Sequence, residues 1–488
     1  MAIRKPIISA GKEGLIYGIG NILNKLSSFL LIPIYIAFLP INIVGTLVLV
    51  ELFENLINNF LPLGIAYGMW DNFKKHPLQI KENFSSAFLL LGFLSIVFLL
   101  FLNIFDHYFI EFLGISYDIE WIYLFILINI FLNIQTKIYL WYIQYNGKSL
   151  QFILISFLQF TGTLIFSIYF VVFNGYGLEG FILGKTISYL FVFVFIIFNI
   201  FKNHLYKINI FYFKSMIKFG FPLMLLGLTH PVLTIIDRFI MRTSDMPLDQ
   251  IAIYSIGYKY GMIINMILVI PMQRVWSPLI YKLGAKKEGL NFHKSFLLYY
   301  SIIGMTIFLS MLFFSGQLLA LISNDNYVDA KKIIPIITLS YFFYGYKIFF
   351  QAGAALSGKT KKIILIPFIT VCISIIINYF SIINYGVIGA AYATLISYII
   401  FDFILYRVSN ILLPIYWSWI KLIKLYILVS FISCYYIFFI GYETDVSQIF
   451  HKLLLMITYF AGLVFFNIIG YREVNGFKWA LSTINRWN

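Results

Sequence analysis

Ten charged residues lie inside long apolar stretches of the sequence, away from their ends. Six are basic and four acidic: Lys25, Lys137, Lys185, Arg238, Lys259 and Lys347 against Glu51, Glu54, Asp237 and Asp402. A charge in an apolar environment is costly, so such residues usually pair, line a wet cavity or bind a ligand. The excess of cations favours an anionic ligand, and lysine provides a point charge that suits phosphate.

Helical spacing places several of these charges on polar faces. Lys25 lies four residues after Asn21, Lys137 four after Asn133, and Lys347 four before Gln351. Residues three or four apart lie on one side of an α-helix, so these stripes predict a water-filled cavity. We expect its polar lining to include Asn21, Asn55, Asn58, Asn133 and Gln351. We expect its anion-binding surface to consist of Lys25, Lys137, Lys347, Lys259 and Arg238.

The remaining charges have open interpretations. Glu51, Glu54 and Asp237 are the candidates for binding a proton or a sodium ion in a gradient-driven cycle. Structural alternatives exist for other residues. Lys185 and Arg238 lie close enough to the predicted outer surface for their charged ends to reach it. Lys259 is a possible partner of Glu51, and Asp402 of Arg407.

The elements that carry these residues are predicted to be membrane-spanning helices. The 488 residues are 61% hydrophobic and only 11% charged, whereas a soluble protein carries about a quarter charged residues. Apolar runs of about 20 residues, the length that crosses a bilayer, recur throughout the chain. The two cysteines, Cys372 and Cys434, lie in such runs without metal or redox spacing. We therefore expect an all-α integral membrane protein without a metal site or bound cofactor.

The distribution of lysine and arginine supports fourteen spans with both termini in the cytoplasm. Basic residues such as Lys74, Lys75 and Lys81 concentrate in every second connection, and acids such as Asp106 and Asp118 occupy the alternate ones. The net charge of +15 is then a topology signal and a contact with anionic lipids, not a nucleic-acid site. The predicted location is the bacterial cytoplasmic (inner) membrane. The predicted spans are 14–38, 41–68, 84–105, 121–145, 150–173, 178–201, 217–240, 251–275, 295–322, 333–356, 363–383, 387–407, 418–440 and 450–470.

An internal repeat relates two parts of the chain at an offset of about 210 residues. Because six helices separate the copies, both point the same way through the membrane. This predicts two six-helix bundles, 1–214 and 215–410, that face each other across a cleft, with two helices and a cytoplasmic tail in 411–488. Glycine and proline should also interrupt span 7, at Gly220, Pro222, Gly227 and Pro231. The matching residues are Lys137, Gly147-Lys148, Gly177, Gly180 and Ile187-Ser188-Tyr189 in the first copy, and Lys347, Gly358-Lys359, Gly386, Gly389 and Ile396-Ser397-Tyr398 in the second.

One stretch resembles a known family. Ile235-Ile236-Asp237-Arg238-Phe239-Ile240-Met241, followed by Ile251-Ala252-Ile253-Tyr254-Ser255-Ile256-Gly257-Tyr258-Lys259, is similar to the polysaccharide transporters of the multidrug/oligosaccharidyl-lipid/polysaccharide (MOP) exporter superfamily. These include flippases for O-antigen and other lipid-linked oligosaccharides. In that family a similar Asp-Arg pair ends the seventh span and a similar Tyr-Ser segment opens the eighth. The resemblance implies a bundle like that of the multidrug and toxic compound extrusion (MATE) transporters.

The resemblance also implies a function. The cargo would be a polyprenyl-pyrophosphate-linked oligosaccharide, an O-antigen or other surface polysaccharide repeat unit, moved from the cytoplasmic to the outer leaflet by alternating access. The deep lysines would hold its pyrophosphate or acidic sugars, and a proton or sodium gradient would drive the cycle. Membrane lipids surround such a protein, and a polysaccharide polymerase and chain-length machinery are its expected partners. It would be a transporter and not an enzyme.

The sequence leaves three alternative functions open. A peptidoglycan-precursor flippase would share the topology and the cationic cleft. A multidrug exporter of the same superfamily would have an acid-dominated cavity and twelve spans. A membrane polysaccharide polymerase, ligase or glycosyltransferase would carry a large outer loop, but the longest one here, from Phe105 to Glu120, has only about 16 residues.

Overall fold

The computed structural model describes residues 30–203, 207–284, 287–322, 325–441 and 446–469. Every regular element within these ranges is helical, which confirms the predicted all-α fold. This follows from the apolar sequence, because helices satisfy their backbone polar groups within each segment. The α-helices are Ile32–Phe38, Ile41–Phe60, Ile65–Lys75, Ile80–Ile104, Asp106–Leu113, Ile122–Tyr145, Ser149–Ile168, Gly177–Asn203, Ile210–Thr243, Leu248–Gly261, Ile270–Leu283, Lys287–Ile322, Ala330–Tyr344, Lys347–Phe350, Ala352–Leu356, Ile366–Leu412, Trp419–Tyr435 and Val446–Phe465.

Twelve segments in the described ranges are long and apolar enough to cross a membrane. One of them, Thr360–Leu412, has 53 residues and contains the predicted spans 363–383 and 387–407. Gly386 separates these two spans with a non-helical conformation, φ +59° and ψ −139°. The first predicted span, 14–38, is described only from residue 30 onward. The multi-pass membrane fold is thus confirmed, with fourteen as an approximate count.

Contacts among the described residues group them into two compact units, one up to residue 252 and the other from residue 253. The division falls within the Leu248–Gly261 helix. In the first unit, the Ile210–Thr243 helix packs against Ile41–Phe60 and Ile65–Lys75. In the second unit, the Ile366–Leu412 helix packs against Ala330–Tyr344. The repeat boundaries drawn from the sequence stay a prediction.

The predicted interruption of span 7 is wrong. Ile210–Thr243 is one continuous α-helix of 34 residues that contains Pro222 and Pro231. Membrane helices tolerate proline because neighbouring groups bind the carbonyls that it leaves free. Gly220 serves helix packing instead, since a Cβ at this position would lie 2.1 Å from the carbonyl oxygen of Gly64.

The actual break lies in span 2, which the sequence predicts as a single helix over 41–68. The first helix ends at Phe60 and the next begins at Ile65. Between them, Leu63 and Gly64 adopt positive φ angles of 50° and 73°. The Pro62-Leu63-Gly64 sequence is the local signal for this break, since proline and glycine favour turns.

The structure gives the two copies of the repeat the same backbone geometry. Gly147 and Gly358 both have φ +70°, and Gly177 and Gly386 have φ +56° and +59°. The residue after the first pair, Lys148 or Lys359, donates its N–H to the carbonyl of Ile143 or Ala354, at 3.0 and 3.1 Å. This is the Schellman bond that ends a helix at a left-handed glycine. Equivalent helices therefore end in the same way in both copies.

Candidate functional site

A buried ion pair lies in the first unit between the Ile41–Phe60 and Gly177–Asn203 helices. The ammonium of Lys185 contacts Oε2 of Glu54, and their side chains are only 12% and 5% exposed. The rings of Phe181 and Tyr189 lie 5.7 and 5.6 Å from Lys185 Nζ. Lys185 therefore neutralises an acid inside the bundle, and the alternative in which it reaches the surface does not hold.

Lys137 lies next to this pair without joining it. Its Nζ donates to the backbone carbonyl of Asn58, one helical turn after Glu54, at 3.4 Å. Lys137 and Asn133 are half-buried, whereas the intervening residues 134–136 are buried, so the predicted polar stripe is the more accessible face of this helix. Within the described ranges, Lys137 forms no salt bridge.

The polar residues of span 2 divide between two environments. Glu54 and Asn58 are buried, and Glu51 is half-buried on the same helix. Asn55 is exposed, and its Oδ1 accepts a hydrogen bond from Nδ2 of Asn59 at 2.7 Å. Glu54 and Asn58 are thus the inward face of this helix, and Asn55 lies apart from them.

Lys347, the repeat counterpart of Lys137, lies in the second unit. Its Nζ is 3.5 Å from the centroid of the Tyr344 ring, a cation–π contact. The Tyr344 ring in turn packs on Tyr398 at 4.8 Å. Gln351, on the same stripe, is half-buried.

Asp402 is the acidic residue that interacts electrostatically with Lys347. It is 4% exposed, and neither carboxylate oxygen has a hydrogen-bond partner among the described residues. Lys347 interacts with it electrostatically but forms no salt bridge in the described part of the chain. The alternative pairing with Arg407 is wrong, because Arg407 is exposed on the surface while Asp402 is buried.

The remaining predicted site residues that the structure describes lie on helices other than those of the Glu54–Lys185 pair and of Lys347. Arg238 Nη1 donates to Oδ1 of Asp237 at 2.9 Å and to the carbonyl of Thr234 at 2.6 Å, so this predicted cation and acid are paired. Lys259 is half-buried in the second unit. Lys25 and Asn21 lie outside the described residues. His, Cys, Asp and Glu form no metal-binding group of three within the described ranges.

The sequence analysis lists Lys185 and Asp402 among the intramembrane charges but assigns neither to the site, whereas in the structure Lys185 pairs with Glu54 and Asp402 interacts electrostatically with Lys347. Both are intramembrane charges, which was a sufficient signal to include them. What the sequence could not supply is which acid faces which lysine, since the partners lie on helices far apart in the chain. Tyr189 and Tyr398, matched in the repeat, flank these sites in the two units.

The sequence is similar to one known protein family and to one named transporter. Residues 10–284 match the sequence model of a family described as polysaccharide biosynthesis protein. A Shigella flexneri protein provisionally named an O-antigen transporter is 28% identical over 181 residues. That alignment covers 37% of this chain and 43% of the relative, so the chain matches less than half of that protein's length.

Two solved structures show the fold. The lipid II flippase MurJ, in an inward closed conformation, aligns with a TM-score of 0.74 over 94% of this chain and 99% of its own, at 15% identity. A multidrug resistance MATE family transporter of the MOP superfamily, facing inward, aligns with a TM-score of 0.62 over 80% and 93%, at 13% identity. The predicted MATE-like architecture is confirmed. Because the family match spans more than half of the sequence, this chain belongs to the polysaccharide biosynthesis protein family.

Proposed function

We propose that this protein is a flippase that moves a polyprenyl-pyrophosphate-linked oligosaccharide, such as an O-antigen repeat unit, from the cytoplasmic to the outer leaflet by alternating access. One observation carries the proposal. Lys137 and Lys347 occupy equivalent positions in the two copies of the repeat, and neither forms a salt bridge in the described ranges. The family match and the S. flexneri relative support the glycan-lipid cargo.

The physical reason is the cost of an unpaired charge in an apolar bundle. An ammonium group without a counter-ion is unfavourable there, and a pyrophosphate or acidic sugar supplies that counter-ion. The electrostatic attraction between the cargo and such a lysine is therefore stronger than the same contact would be in water. A cationic drug would gain nothing at these positions.

The coupling ion and the cellular setting are part of this proposal. Glu54 is paired with Lys185 and Asp237 with Arg238. Each carboxylate would therefore have to separate from its basic partner before it binds a proton or a sodium ion. Glu51 is the third candidate and is half-buried. We place the protein in the inner membrane with both termini in the cytoplasm, where a polysaccharide polymerase and chain-length machinery would act on the exported lipid.

The test is translocation in proteoliposomes. The protein is reconstituted with an undecaprenyl-pyrophosphate-linked oligosaccharide that carries a fluorophore on a sugar, and arrival in the opposite leaflet is measured with a membrane-impermeant quencher. We expect the wild type to accelerate translocation without ATP, and the double variant K137Q/K347Q to abolish it. K137R/K347R keeps both charges and should retain part of the activity.

K75Q is the matched control, because the Lys75 side chain is exposed and pairs with Asp71 at 2.5 Å, so its loss should not affect transport. Wild-type rates in K137Q/K347Q would contradict the proposal. The same assay with lipid II distinguishes the main alternative, since a preference for lipid II over the oligosaccharide lipid would identify a peptidoglycan-precursor flippase.

A further inference from the structure

We propose that Lys185 is a positioning residue that neutralises Glu54 and so leaves Lys137 free to bind an anionic group of the cargo, whereas Lys347 is held in part by Asp402. Each of the two repeat-related lysines then binds the same kind of anionic group, but Lys137 binds it more tightly than Lys347 does. The inference rests on the proposed function, because it concerns the cargo's pyrophosphate or acidic sugars.

The first unit shows how one lysine can protect another. Glu54 is buried and its Oε2 contacts Lys185. Lys137 Nζ binds the carbonyl of Asn58, which lies four residues further along the same helix. Four residues correspond to slightly more than one helical turn, about 6 Å along the axis, which the flexible lysine side chain can span. Without Lys185, the buried carboxylate would need a new cation, and Lys137 is next to it.

Other charges around the pair agree with this arrangement. Glu51, on the same helix, interacts electrostatically with Lys185 and is half-buried. The ammoniums of Lys185 and Lys137 repel each other, which disfavours any shift of Lys137 towards Glu54 while Lys185 is in place.

The second unit lacks this protection. The repeat aligns Gly180 with Gly389 and Ile187 with Ile396, so the counterpart of Lys185 is Thr394. Its hydroxyl donates to the carbonyl of Ala390 on its own helix, at 3.1 Å, and supplies no charge.

Asp402 therefore depends on Lys347. The titratable groups that interact with this carboxylate from the helices around it are Lys347, Tyr300, Tyr344 and Tyr426. Only Lys347 among them is a cation, and the Asp402 oxygens have no hydrogen-bond partner in the described ranges. An anion that binds Lys347 must compete with this buried carboxylate, whereas one that binds Lys137 meets an acid that is already neutralised.

The test measures binding of farnesyl pyrophosphate, a short-chain polyprenyl pyrophosphate, to the purified full chain by titration calorimetry. To measure the affinity of one lysine at a time, the first-unit variants are made in a K347Q background and the second-unit variant in a K137Q background. K185T, which introduces the residue of the second copy, should weaken binding about tenfold, as expected for loss of one charge-assisted contact. Adding E54Q to K185T should restore it.

The second-unit variant works in the opposite direction. D402N should strengthen binding through Lys347, because it removes the competing carboxylate. A gain of affinity, like the rescue by E54Q, is not expected from damage to packing. The exchanged pair E54K/K185E keeps a cation and an acid at these two positions and should bind as the K347Q parent does, so weaker binding by this variant would also contradict the inference.

The outcomes separate this inference from the proposed function. If the wild type does not bind the probe, the proposed anionic cargo is wrong. If the wild type binds, the inference is overturned when K185T binds like its parent, when E54Q fails to restore binding, or when D402N weakens it.

Discussion

The backbones of Gly64 and Gly220 are in direct contact, and each excludes a side chain from the other. A Cβ on Gly64 would lie 2.1 Å from the carbonyl oxygen of Gly220, and a Cβ on Gly220 the same distance from that of Gly64. Gly68 makes a similar approach to Met216 one turn further along. Small residues allow membrane helices to pack this closely, and here they join the break in span 2 to the long Ile210–Thr243 helix.

We therefore predict that G220A destabilises the protein by at least about 1–3 kcal/mol, the usual cost of overpacking, because the clash is with backbone that cannot rotate away. The measurement is thermal unfolding of the detergent-solubilised protein, followed by tryptophan fluorescence. G227A is the matched control on the same helix, since the nearest atom to its Cβ would be the Tyr67 hydroxyl at 4.0 Å. Equal midpoints for G220A and G227A would show that the close contact is not formed.

This contact illustrates what the sequence could and could not provide. Gly220 is unusual in an apolar run, but its neighbour Gly64 is 156 positions away in the sequence, so the sequence predicts a helix break where the structure has a packing contact. The helical segments were predictable, because the length of an apolar run is a local feature of the sequence. The pairing of Lys185 with Glu54 was not, because only the packing of distant helices decides it.

A second prediction concerns the Tyr344 ring beneath Lys347. The ring lies 3.5 Å from Nζ and holds the ammonium in place by a cation–π contact, worth about 1 kcal/mol or about fivefold in an equilibrium. We expect Y344L to slow oligosaccharide-lipid translocation by about that factor, as the ammonium loses its fixed position. Y344F keeps the ring and should transport at nearly the wild-type rate.

The translocation assay described above compares the two variants, with unfolding midpoints measured in parallel. Tyr344 also packs on Tyr398, so a fall in the midpoint without a fall in rate would assign the ring to packing alone. Equal rates for Y344L and Y344F would contradict a role in holding Lys347.

The last prediction concerns the orientation of the chain in the membrane. Lys81 and Asp118 are exposed and lie beyond opposite ends of the apolar stretch of the Ile80–Ile104 helix, which at 25 residues is about 37 Å long and sufficient to cross a bilayer. The basic residues around Lys81 predict that its end of the helix is cytoplasmic.

The measurement is cysteine labelling. Cys372 and Cys434 are free and exposed, so both are first replaced by serine. In intact spheroplasts, a membrane-impermeant maleimide should then label D118C at once and K81C only after permeabilisation. Labelling in the reverse order would invert the predicted topology, and labelling of both positions from one side would show that this helix does not cross the membrane.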